Sequence, residues 1–117
     1  MQVLVNTDHN IEGSAGLSSH VEALIQDTLG RFGERLTRVE VFLADENSAQ
    51  KAGEADKRCT MEARPSGLQP IVVTHEAATI DQALYGAAEK LEHTLKRHLE
   101  RLDQHKGRTS FAGDQEL

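Results

Sequence analysis

Aromatic residues are nearly missing from this sequence, which has no tryptophan, one tyrosine and three phenylalanines in 117 residues. The core must therefore be assembled from Leu, Val, Ile and Ala, and only Phe42 is placed to offer a stacking surface to a base. A single cysteine, Cys59, cannot build an internal disulfide framework and suits a reducing compartment. Long apolar runs are lacking too. None approaches the roughly 18 residues of a membrane span, and the first residues show no basic stretch followed by an apolar one. The expectation is a cytoplasmic protein with no membrane partner.

Catalytic and ligand-binding patterns are equally scarce. His75-Glu76-Ala77-Ala78-Thr79 begins like a zinc-protease motif but has no second histidine one helical turn on. His98 and His105 share a helix face, yet seven residues put them roughly 10 Å apart, too far to chelate one ion easily. Asp8-His9-Asn10 has no nucleophile spaced to it, and the glycines form no phosphate-cradling loop ahead of a helix. Cys59 alternates with Met61 and Ala63 on an apolar face, which reads as a core thiol. No nucleophile, base and orienting group can be assembled, so neither an enzyme nor a bound cofactor, metal or small-molecule substrate is expected.

What is present is an ordinary globular composition, 38% hydrophobic and 27% charged. The length allows one modest core, expected over residues 1–106, with 107–117 as a disordered tail. The formal charge of -6 would repel nucleic acid overall. It is uneven. Residues 1–78 carry 7 bases and 12 acids, whereas 79–106 carry 5 of each.

The strongest pattern is in that balanced stretch. Ile80, Leu84, Ala87, Leu91, Leu95, His98/Leu99 and Leu102 recur in steps of three and four, the stripe of an amphipathic helix. Thr79 and Gln82 have the spacing of a capping box at its start, and Gly107 is expected to stop it. Upstream, Met1–Asn6 reads as a strand, and Leu17, Val21, Leu24/Ile25 and Phe32 as a helical stripe. That helix starts at Ser14 or at Ser19-x-x-Glu22, with Gly33 as its C-cap. Thr37–Ala44 and Lys57–Arg64 alternate as half-buried strands around a polar loop, and Leu68–His75 completes a fourth. The fold class is therefore α+β in the order β-α-β-β-β-α. The first two strands are parallel through a right-handed crossover, the rest form a meander, and both helices pack on one face of a four-stranded sheet.

Two groups of bases stand out. On the outer sheet face, Arg38, Arg58 and Arg64 could meet a nucleic-acid backbone, but Glu40 and Glu62 share that face and invite cross-strand ion pairing. On the final helix, Lys90, Arg97 and Arg101 fall in one row. Glu89/His93 and Glu92/Lys96 stand at i,i+4 and could hold the surface as solvated ion pairs. Spacing alone leaves RNA contact and ordinary surface both open.

The opening MQVLVNTDHNIEGS, the segment RFGERLTRVEVFLADEN and the helix HEAATIDQALYGAAEKLEHTLKRHLERL together resemble the short ribosome hibernation promoting factors and ribosome-associated inhibitor A, also known as sigma-54 modulation proteins. The resemblance spans nearly the whole chain except the tail. It implies a domain similar in shape to double-stranded RNA-binding domains. Such a domain would bind ribosomal RNA in the small ribosomal subunit and silence translation by blocking the messenger and transfer-RNA channel. Lys90, Arg97 and Arg101 fall at positions matching family RNA contacts, while His93 stands where a relative can carry arginine and Leu99 where one can carry lysine. The expected RNA-binding set is Lys90, Lys96, Arg97, Arg101 and His93, assisted by Arg58, Arg64 and Arg38. Lacking the second, dimerising domain of longer members, the chain is expected to be a monomer when free. A second reading, motivated by the acidic charge, is a protein-binding stress or transcription regulator that uses the same fold without strong RNA binding.

Overall fold

The computed structural model describes residues 1–9, 11, 13–46 and 56–112, with side chains described as far as Asp103. The elements are β1 (Gln2–Thr7), α1 (Ala15–Leu29), a 3-10 segment (Gly30–Arg35), β2 (Leu36–Asp45), β3 (Lys57–Pro65), β4 (Ile71–Ala77) and α2 (Ile80–Ala112). The sheet order is β1-β2-β3-β4, with β1 parallel to β2 and the other pairs antiparallel. This is the α+β arrangement expected from the periodicities.

The alternation of each strand sets its burial. Val39, Val41 and Leu43 on β2 and Cys59, Met61 and Ala63 on β3 are buried beneath the helices. Their neighbours Phe42 on β2 and Val72 on β4 remain 41% and 58% exposed on the other face. Helix α1 contributes Val21, Ile25 and Leu29 to the core, and α2 contributes Ala83, Leu84, Ala87, Ala88, Leu91 and Leu95. Both helices therefore cover one face, and the opposite face carries no layer of described residues.

Caps account for the helix starts. Ser14 Oγ accepts the Leu17 amide at 3.0 Å, which selects the earlier of the two possible starts for α1. Thr79 Oγ1 accepts the Gln82 amide at 3.1 Å. The helix ends differ from expectation. Helix α1 gives way at Gly30 to the 3-10 segment rather than ending on a Gly33 cap. The α2 backbone continues through Gly107 to Ala112. A glycine in mid-helix costs about 1 kcal/mol but does not remove a hydrogen bond, so it need not stop a long helix. The expected tail is thus helical to Ala112, and 113–117 lie outside the described residues. Strand β4 begins at Ile71, after Pro70, rather than at Leu68. Of the expected polar loop, residues 47–55 also lie outside the described set, but its ends are stapled. The Glu46 amide bonds the Asp56 carbonyl at 2.8 Å, and Lys57 Nζ lies 2.9 Å from Asp56 Oδ1 and 3.5 Å from Asp45 Oδ1.

Candidate nucleic-acid interface

Helix α2 returns along β4, the edge strand of the sheet. Two close contacts set this path. Gly86 lies directly against the His75 imidazole, so that a Cβ there would overlap the ring. One turn later Lys90 Nζ donates to the Thr74 carbonyl at 2.8 Å. Further on, His98 sits in a cleft of about 230 Å³ against Leu68, Gln69, Pro70 and Ile71, with its Nδ1 buried and unbonded among the described residues.

At 100° per residue, positions 90, 97 and 101 lie within about 40° of one another around the helix. Lys90, Arg97 and Arg101 therefore form one row on the β4 flank, and exposed His93 adjoins it on the outer crest. Among the described residues no carboxylate lies within 4.0 Å of any of these three cations. Lys90 keeps two N–H donors beyond the one given to Thr74. An elongated anion running along this flank would meet three positive groups over about 16 Å.

The remaining expected residues lie elsewhere. Lys96 falls on the opposite flank, in a groove with Arg31, Phe32, Arg35 and Asp103. There Glu92 is 3.2 Å from Arg31, not paired with Lys96 as the helical spacing suggested. Arg35 makes two 3.1 Å hydrogen bonds to the Asp103 carboxylate, which tie the 3-10 segment to α2. The Arg31 guanidinium also stacks on Phe32, 4.7 Å from the ring centre. Spacing could not show the Arg31–Glu92 and Arg35–Asp103 pairs because their partners come from another element.

Arg38, Arg58 and Arg64 do share the open sheet face, but on the far side of the sheet from α2. The register places Arg38 opposite Arg64 and Glu40 opposite Glu62. Like thus faces like, so these four residues form no cross-strand ion pair with one another. The contacts run instead along each strand, Arg38 to Glu40 at 3.9 Å and Arg64 to Glu62 at 3.4 Å, while Arg58 meets Glu46 at 2.8 Å. Alternation had identified the face but not the register. Eight expected residues thus occupy three separate surfaces.

Other candidates resolve as structure. Burial pushes the Cys59 thiol up to about 12, so it is not a nucleophile at neutral pH. Asp8 accepts the Asp45 amide at 3.2 Å and joins the end of β1 to β2. Asn10 lies outside the described residues. Among the described residues no three potential metal ligands gather, and no helix is long and apolar enough to cross a membrane.

A mixed sheet covered on one face, with a long basic-flanked helix laid along its edge, defines a class of small α+β domains. A family model described as Sigma 54 modulation protein / S30EA ribosomal protein matches residues 4–103. The chain belongs to that family. Among solved structures, its fold is similar to the N-terminal domain of Protein Y from Thermus thermophilus. That match has a TM-score of 0.66 at 22% identity and covers 84% of this chain and 99% of that one. It is also similar to a ribosomal subunit interface protein from Coxiella burnetii. Here the TM-score is 0.62 at 14% identity, with 86% and 99% of the two chains covered. No curated protein matches the sequence.

Proposed function

We propose that this chain is a ribosome-associated translation inhibitor of the hibernation type, a cytoplasmic, non-catalytic protein. It binds ribosomal RNA of the small subunit and blocks the messenger and transfer-RNA channel. Family membership supports the ribosomal association, and one solved relative is itself titled a ribosomal subunit interface protein. The observation that carries the RNA contact is the row of Lys90, Arg97 and Arg101, whose cations have no carboxylate partner among the described residues. Arg38, Arg58 and Arg64 are committed to glutamates and serve less well. Lys96 faces the other flank and is accessory, and His93 adds charge to the row when protonated.

The test is gradient co-sedimentation with purified small subunits. The wild type is expected to travel with them at low salt, and Lys90→Ala/Arg97→Ala/Arg101→Ala to remain at the top while Arg38→Ala/Arg64→Ala still binds. A wild type that never co-sediments would remove the reading. If it binds and the triple variant binds equally, the interface lies elsewhere. The acidic regulator keeps one observation in its favour, the Glu40/Glu62 pair at the centre of the open face. It would be supported by a stable complex with a stress or transcription protein that is free of ribosomal RNA.

A further inference from the structure

The two edges of the sheet are built differently. Strand β4 is shielded: Pro70 precedes it, α2 runs beside it, and Lys90 occupies its Thr74 carbonyl. Strand β1 is less shielded: helix α1 lies across a groove from its edge, and no proline or lysine blocks it. Gln2–Thr7 reads QVLVNT, with no charge, no proline and no bulge, and no described strand pairs with its outer side. Uncharged free edges are the usual template for strand addition.

The Asp8 amide donates to Leu43, and backbone groups alternate along a strand, so the N–H and C=O groups of Val3 and Val5 are the ones that point away from β2. Their side chains are only half-buried, whereas their sheet neighbours Val39 and Val41 are fully buried. A groove of about 390 Å³ runs between this edge and α1, lined by Met1, Val3, Ser19, Glu22, Ala23 and Gln26.

The strand also has a chemical symmetry. Gln2-Val3-Leu4-Val5-Asn6 reads amide, valine, leucine, valine, amide in either direction. We propose that β1 is a self-pairing edge through which two copies of this chain join antiparallel about a two-fold axis at Leu4. In that register Val3 of each copy lies opposite Val5 of the other, and the outward N–H and C=O groups of the two valines close four hydrogen bonds. The valine side chains meet on the helix-covered face. On the open face leucine meets leucine, and each Gln2 meets an Asn6. On the helix-covered face the α1 wall of the groove, with Ser19, Glu22, Ala23 and Gln26, flanks the seam. The self-complementarity selects a second copy over an unrelated peptide, since a two-fold interface requires each patch to match itself. This association uses the edge opposite the Lys90 flank, replaces the monomer expected from the sequence, and is independent of RNA binding.

Sedimentation velocity of the full chain over a concentration series tests it, with two variants at exposed outer-face positions. Gln2→Lys/Asn6→Lys sets like charges across both ends of the seam and is expected to raise the dimer Kd at least tenfold. Gln2→Glu/Asn6→Lys sets opposite charges there and is expected to keep the dimer. Amide exchange supplies a readout that does not depend on the variants. Val3 and Val5 are expected to gain protection as the wild-type concentration rises, while the inward-pointing Leu4 amide does not change. A wild type that stays monomeric at about 500 μM overturns the proposal, as does a dimer that both variants leave equally stable.

Discussion

At the scale of single residues, Gly86 governs how α2 meets the sheet. Its missing side chain gives the His75 imidazole room against the helix, and Lys90 then reaches Thr74. Gly86→Ala should destabilise the fold by about 1–3 kcal/mol through overpacking, and His75→Ala in the same chain should return part of that loss. Chemical denaturation of the four chains checks this, with non-additivity as the expected sign of contact. Cys59 offers a second test. Its thiol is buried and its titration is displaced to about 12. A thiol reagent at pH 8 should leave the native protein unlabelled and modify one group per chain in denaturant. Lys57 is also shifted upward, chiefly by its hydrogen bond to Asp56. While its aspartate partners stay ionised, a raised lysine pKa supports the fold below the ordinary lysine range and loses that support as pH rises through the folded value. The staple at the ends of β2 and β3 should therefore be unaffected at neutral pH.

At the scale of elements, both helices depend on a hydroxyl at the first turn. Ser14→Ala and Thr79→Ala should each cost about 1 kcal/mol, read as shifts in the denaturation midpoint with an unchanged slope. The strands show how far alternation reaches. It correctly divided Val39, Val41 and Leu43 from Arg38, Glu40 and Phe42, because side chains alternate across any strand. It did not anticipate that Glu40 would face Glu62, because register depends on how two strands meet. Helix α2 gives the same lesson. Its buried stripe and its row of bases were both legible, since 3.6 residues per turn apply to any helix. Which flank faces β4 was not, nor the pairing of Glu92 with Arg31 in place of Lys96.

At the scale of the whole molecule, the question is how a chain of net charge -6 could hold RNA. Three cations without carboxylate partners among the described residues stand together on one flank, while the sheet-face arginines lie on the other side against glutamates. Binding through that flank should therefore be weak and strongly salt-dependent. If Lys90, Arg97 and Arg101 each neutralise one phosphate, the logarithm of affinity should fall against the logarithm of salt with a slope of about -2 to -3. Removing one of them should reduce the slope by somewhat less than one. Co-sedimentation across a salt series measures both. A slope indifferent to all three substitutions would detach binding from this flank.

The sequence by itself determined the strands, the helices, their order and the face each one buries. Those properties follow from local periodicity and from caps that act within a few residues. The family resemblance was readable there too, because it lies in stretches of contiguous chain. Only the tertiary structure decided which charges stand together. It divided eight candidate bases among a helix flank, a groove and an open sheet, and left β1 as the less shielded edge. The physical reason is that an ion pair, a strand register and a free edge are relations between elements distant in sequence, and packing alone brings those elements within reach.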